Sequence, residues 1–179
     1  MWFKQADVER WWKHRNLQGA PWPQIEKVIL EDWNQKQLLL KSSDPNYHYE
    51  PAQSAHDIFD DFNTIPIAAG SLGQAYKASI LDEQNEKKIV IVKVQRPGIV
   101  PIVESDIKVL EDVVNLVERT KWGKIYNFMD MVNEFASVIR NEMDFYEEAS
   151  NTEIIGENIN KFYTKGEIVT PDIHWKYCS

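Results

Sequence analysis

The spacing of apolar residues changes period at Pro66, and this change constrains the fold more than any other feature of the chain. Downstream, Gln74 to Leu81 and Lys88 to Gln95 read as two strands joined by the polar run Asp82-Glu83-Gln84-Asn85-Glu86-Lys87. Two such segments with a short polar connection predict a β-hairpin. The stretch entering it is Pro66-Ile67-Ala68-Ala69-Gly70-Ser71-Leu72-Gly73-Gln74-Ala75-Tyr76-Lys77-Ala78, with small side chains at its centre. A small-residue loop between strands lets backbone N–H groups approach phosphate oxygens, and a lysine on the next strand adds a positive charge to the same phosphates. Lys93, in Val92-Lys93-Val94-Gln95-Arg96-Pro97-Gly98, is placed for that role. The combination points to a nucleotide.

Around the hairpin the spacing is helical. Residues 2 to 17 are rich in helix formers and aromatics, and Pro21 and Pro23 end that pattern. Pro23 suits the first turn of a second helix, where its missing N–H is no loss, and Ile25, Val28, Ile29 and Leu40 continue a face to about Lys41. Ser42 to Asn46 reads as a loop, and Ser54 with Asp57 as a helix-entry capping box leading to Ile58, Phe59 and Phe62. Pro101 to about Arg119 and Asp130 to about Gly156 predict two long helices. Glu167 to Val169 and Ile173 to Tyr177 read as short strands divided by Pro171. The expected class is α+β, a small sheet with several helices.

Bulk properties narrow the functions. With 179 residues, 43% hydrophobic and 27% charged, the chain can bury a core without disulfides, and its one cysteine, Cys178, offers no bridge or thiolate metal site. A net charge of −8 and a pI near 5.0 disfavour nucleic acid as a partner, because that affinity rests on Lys and Arg neutralising phosphates. No stretch approaches the roughly 18 apolar residues of a membrane span. The N-terminal residues lack an apolar signal core, and Asp7 and Glu9 disagree with a transit peptide, which leaves the compartment open.

Single residues carry two readings each. Lys93 interrupts an apolar strand, so it is either a buried ammonium that needs an opposite charge or a ligand, or an edge lysine whose stem packs while its head reaches water. On one continuous helix Asp144 and Glu148 would share a face at i, i+4, where like charges call for a nearby cation or are simply solvated. Glu104 and Asp106 read as first-turn acids complementing a helix dipole. Trp2, Trp11, Trp12 and Trp22, among Lys4, Arg10, Lys13 and Arg15, suit rings docked as core or a helix at a membrane interface, with docking favoured.

Taken in order, these segments resemble the UbiB/AarF-type atypical kinase-like proteins, relatives of the protein kinases associated with ubiquinone and other prenyl-lipid metabolism. The likeness runs from about Ile58 to Tyr177. It implies a helical extension over residues 1–57 and a kinase-like N-lobe over 58–179. Ala68, Ala69, Gly70, Ser71, Leu72, Gly73 and Gln74 match the family's alanine-rich loop over the nucleotide. Lys93 matches its phosphate-contacting lysine, and Glu148, in Glu147-Glu148-Ala149-Ser150-Asn151, matches the glutamate that pairs with that lysine. Glu142 and Asp144 match an E-x-D motif, and Thr170-Pro171-Asp172-Ile173-His174-Trp175 the strand toward the hinge. The resemblance implies ATP with Mg2+, a kinase or ATPase activity in the complete protein, and a role in prenyl-quinone or lipid homeostasis. It also implies association with membrane or prenyl lipid, in a bacterial cytoplasm or inner-membrane face, a mitochondrion or a plastid.

Three departures qualify what the resemblance implies. Gly70 stands where the family usually has alanine, which predicts a more adaptable loop. The family's K-x-G-Q motif is not found, and the sequence stops at Ser179, ahead of the family's catalytic loop and D-F-G segment. A fragment inactive on its own is therefore expected. The competing expectation is a non-catalytic interaction module that keeps the fold.

Overall fold

The computed structural model describes residues 19–120, 127–163 and 168–178. The expected helix over residues 2–17, with Trp2, Trp11 and Trp12, lies outside them. The chain divides into two compact units, one ending at Pro97 and the other beginning at Gly98. The expected boundary at 57/58 falls inside the first unit.

In the first unit, helix α1 (Trp22–Ser43) starts with Pro23 in its first turn and runs past the expected end at Lys41. Asn34 fixes the returning chain by pairing with both backbone groups of Ala52, donating to its carbonyl at 3.0 Å and accepting from its N–H at 2.9 Å. The Ser54/Asp57 capping box forms, but it opens only a single 3-10 turn over Ala55–Asp57 rather than a helix. Strand β1 (Asp61–Phe62) follows directly, so Phe62 is a strand residue.

The sheet is built on β3 (Gly73–Leu81). Strand β4 (Lys87–Gln95) pairs antiparallel along its whole length, from Gly73 opposite Gln95 to Leu81 opposite Lys87. Its other edge carries β1 at the far end and β2 (Ala68–Ala69) at the loop end. Asp82 organises the hairpin turn: its carboxylate accepts from the N–H groups of Gln84 and Glu86 at 2.9 and 2.8 Å, and Asn85 takes a left-handed φ of 60°. Asp60 ties the same end together, receiving Lys87 Nζ at 2.8 Å and Ser79 Oγ at 3.1 Å.

Alternation gives β3 two different faces. Gln74, Tyr76, Ala78 and Ile80 are buried, and Phe62, paired with Ala78, lies on the same side. Trp22 of α1 packs on Phe62 and Tyr76 at centroid separations of 5.0 and 5.7 Å, and Phe59 adds a fourth ring 5.2 Å from Phe62. Buried aromatics contribute large apolar areas, and tilted or edge contacts add about 0.5–1.5 kcal/mol per pair. This cluster and Ile25 form the core of the first unit. For Trp22, docking is the observed arrangement.

The second unit holds helices α2 (Ile99–Glu118), α3 (Phe128–Met143) and α4 (Phe145–Phe162). Gly98, at φ 70°, provides the left-handed turn into α2. Because α2 starts at Ile99, Glu104 and Asp106 lie beyond its first turn, which corrects the dipole reading. Instead Arg140 of α3 donates Nε and Nη2 to Glu104 at 2.8 and 2.7 Å, a two-point bond between helices. The single helix expected from Asp130 to Gly156 is two helices, divided at Asp144. The two expected C-terminal strands are likewise not formed among the described residues. Ile168 and Val169 are irregular, and Trp175–Tyr177 is a 3-10 turn held against α4 by the bond from Trp175 Nε1 to Glu153 at 2.7 Å.

Asp60 and Asp82 titrate below the ordinary carboxylate value, the first chiefly through the hydrogen bond from Lys87 and the second through that from the Glu86 N–H. A carboxylate with a lowered native pKa stabilises the fold above its unfolded value, and this stability is lost as pH falls through the native value. The thermal midpoint should therefore be insensitive to these groups between pH 7 and 5 and fall below about pH 4. Asp82→Asn should flatten that acid slope, measured by circular dichroism melts across the pH range.

Candidate functional site

The face of β3 opposite the aromatic core is open toward the loop, where Ala75 is half-buried and Lys77 exposed, and closes at the buried Ser79. Residues directly opposed across antiparallel strands share a face, and neighbouring strands lie about 4.8 Å apart. The register sets Ala68 of β2 against Ala75 of β3, and Ala75 against Lys93 of β4. Ala68, Ala75 and Lys93 thus form one row across three strands, with about 10 Å between the outer backbones. Two small side chains leave the row low, and Lys93 stands at its end, exposed. Exposure sets aside the buried ammonium of the first reading. Most of β4 is exposed, so the cost of burying an ammonium does not arise.

One rung above this row the chain turns. Gly70 N–H donates to the Gly73 carbonyl at 2.8 Å and closes the loop, while Arg96 N–H donates to the Leu72 carbonyl at 2.8 Å and joins the loop to the end of β4. Ala68, Gly70 and Ser71 are exposed, and Ala69, Leu72 and Gly73 are half-buried. Gly70 does not use the positive φ that only glycine takes easily, and a Cβ there would meet the Gly73 carbonyl at 3.6 Å, an ordinary contact. The greater adaptability expected of Gly70 therefore has no counterpart in a special backbone conformation. Gln74 turns the other way: it is 1% exposed, and its side chain lies among the core groups on the face away from Lys93.

Ala75, Lys77 and Ile91 were not singled out in the sequence, although they share the open face. Lys77 opposes Ile91, one pair further from the loop, and both are exposed. Counting outward from the Asp82–Glu86 turn would have found them, since that turn fixes which residues oppose one another.

In the second unit the acidic residues meet at the α3–α4 junction. Asp144 leaves helical conformation at φ −88°, ψ 90° and caps α4, its carboxylate accepting the Glu147 N–H at 2.9 Å. Glu142 is exposed in the last turn of α3, and Glu147 and Glu148 are exposed in the first turn of α4. Asp144 and Glu148 are therefore not two rungs of one helix, and the i, i+4 like-charge reading is replaced by a cap followed by acids at a helix N-terminus. That arrangement is favourable, because the helix dipole and free N–H groups attract negative charge there. Tyr146 packs on Trp175 at 4.9 Å and braces the same turn.

A model of the ABC1 atypical kinase-like domain matches residues 43–179 of the chain. The chain belongs to this family, and the small antiparallel sheet with its helices is the α+β arrangement of a kinase-like N-lobe. Among curated proteins, an uncharacterized protein of Synechocystis is 28% identical over 163 residues, which is 90% of this chain and 35% of that protein. The Arabidopsis thaliana protein "activity of bc1 complex kinase 8, chloroplastic" is 34% identical over 128 residues, 69% of this chain and 16% of that one. The chain thus spans well under half of either relative. Among the described residues no helix is long and apolar enough to cross a membrane.

Substitutions at two positions examine the local geometry. Gly70→Ala should be neutral or stabilise the chain by about 0.4–1 kcal/mol, because the native conformation admits a Cβ and the unfolded chain loses freedom. Asp144→Ala should cost about 0.5–2 kcal/mol as a lost cap, whereas Asp144→Asn should change stability little. Urea denaturation of the three variants measures both effects.

Proposed function

We propose that the open face of the first unit receives the phosphates of a nucleoside triphosphate, ATP by family resemblance. The observation that carries this reading is the row Ala68–Ala75–Lys93 lying directly below a turn of small residues. Two methyl side chains let a flat ligand lie close to the sheet. In the turn from Ala68 to Gln74, backbone N–H groups other than that of Gly70, which is bonded to the Gly73 carbonyl, would cradle phosphate oxygens, and the Lys93 ammonium would neutralise them. The family resemblance alone assigns Glu148, Glu142 and Asp144 of the second unit to nucleotide handling in the complete protein.

ATP would bring Mg2+, which prefers about six oxygen ligands and usually keeps several waters. Among the described residues no group of three or more His, Cys, Asp or Glu side chains is placed to hold a metal. Asp144 also has its carboxylate engaged at the cap. These residues do not make a metal site by themselves. In kinases the metal ligands and the group that positions the nucleophile belong to the second lobe. On that basis we assign kinase or ATPase chemistry to the complete protein, the described residues acting as its nucleotide-binding half. A role in prenyl-quinone or lipid homeostasis, near a membrane and in an organelle such as the plastid or its bacterial counterpart, is the biological setting we propose.

The test is a thermal-shift titration of the full-length protein with Mg·ATP. A ligand at 100 times its Kd stabilises by about 2.7 kcal/mol. The native protein should show a shift of that order, Lys93→Met should lose most of it, and Glu148→Gln should lose part. Equal shifts in the native protein and Lys93→Met would remove the phosphate role from Lys93.

A further inference from the structure

Gln74 is a polar side chain placed in an aromatic core, 1% exposed and fully partnered. Its Oε1 accepts the Ala20 N–H, and its Nε2 donates to the Ala20 carbonyl at 3.3 Å and to the Tyr76 hydroxyl. The amide therefore grips both backbone groups of one residue, as a strand neighbour would, across 54 positions of sequence. Gly19 completes the fit: a Cβ there would lie 2.9 Å from Gln74 Cδ and Oε1.

The same residue forms the base of the phosphate loop. Its backbone follows Gly73, whose carbonyl closes the turn, and it is paired with Ala69 on one side and Val94 on the other. Fixing the Gln74 side chain fixes the plane from which the turn springs. Releasing it would strip the buried Tyr76 hydroxyl and the half-buried Ala20 N–H and carbonyl of this partner, a penalty that favours moving the strand end.

We propose that Gln74 is a positioning residue, which sets the loop geometry from behind by its grip on Ala20, so that residues 19–20 and the ligand at the loop are coupled. This rests on the nucleotide reading above. Coupling between two sites is reciprocal: if seating residues 19–20 favours the ligand, the ligand must favour that seating equally.

The experiment measures amide hydrogen exchange by NMR in the full-length protein, with and without Mg·ATP, alongside Mg·ATP affinities of its Gly19→Ala, Gln74→Met and double variants. Saturating Mg·ATP should slow exchange at the Ala20 N–H at least tenfold more than at the buried Ile29. Gly19→Ala, which crowds the Gln74 amide while substituting no residue of the sheet, should weaken binding about three- to tenfold. The double variant should bind no more weakly than Gln74→Met alone, since both changes break one contact. Equal slowing at Ala20 and Ile29 marks general stabilisation and overturns the coupling, as does native affinity in Gly19→Ala. If Gln74→Met fails to fold, the native exchange data and Gly19→Ala still decide. Absence of Mg·ATP binding by the native full-length protein overturns the nucleotide reading, and the coupling with it.

Discussion

The pairing register of β3 and β4 is the constraint on which the rest of the first unit depends. In a strand, successive side chains face opposite ways, so a slip of one residue would carry Lys93 into the aromatic core and Val94 out of it. The register is held at both ends by different chemistry. At the turn, the Asp82 carboxylate gathers two backbone N–H groups and Asp60 receives Lys87. At the loop end, Arg96 bonds back to Leu72, and Tyr76 packs on Trp22 and on Phe62, which Phe59 backs. With the register set, one face is committed to packing under α1 and the other is left open, with the small residues and the lysine aligned.

The two faces divide the chemistry as well. Fixed dipoles and packed rings lie behind the sheet, while the exposed side offers low relief and a positive charge. For the proposed nucleotide, small residues at Ala68 and Ala75 would matter as much as Lys93, because a larger side chain at either position would hold the ligand away from the backbone. The acidic turn at Asp144 in the second unit follows a comparable logic on a helix: the cap orders the first turn, and the exposed glutamates that follow are placed where the peptide dipoles already favour them.

The hairpin and the helix from Trp22 were legible because each rests on one strong local signal, alternation in the first case and a proline at a helix start in the second. The direction of Gln74 was knowable from the same alternation, once Lys93 had been placed, yet a loop motif read as a string of letters conceals which letters face backwards. The break at Asp144 also left a signal. Asp144-Phe145-Tyr146-Glu147 has the spacing of a helix start, but apolar periodicity continued across it and favoured one long helix. The C-terminal residues were misread for a different reason: the short stretch around Pro171 lies along α4, held by Trp175 and by Thr170 beside Gly156, and that packing outweighs its modest strand preference. The pairing of Glu104 with Arg140 spans 36 residues and cannot be seen in any local window.

Strand β4 has one further consequence. Among the described residues it pairs with β3 alone, and Ile89 and Ile91 are 67% and 58% exposed along it. An edge of this kind is a template for a strand from another molecule, and natural sheets discourage such addition with lysines. Lys87 and Lys88 stand before the isoleucines and Lys93 after them. The lysine set beneath the loop therefore also guards the edge against self-association, so its removal would bear on solubility apart from the phosphate role proposed for it.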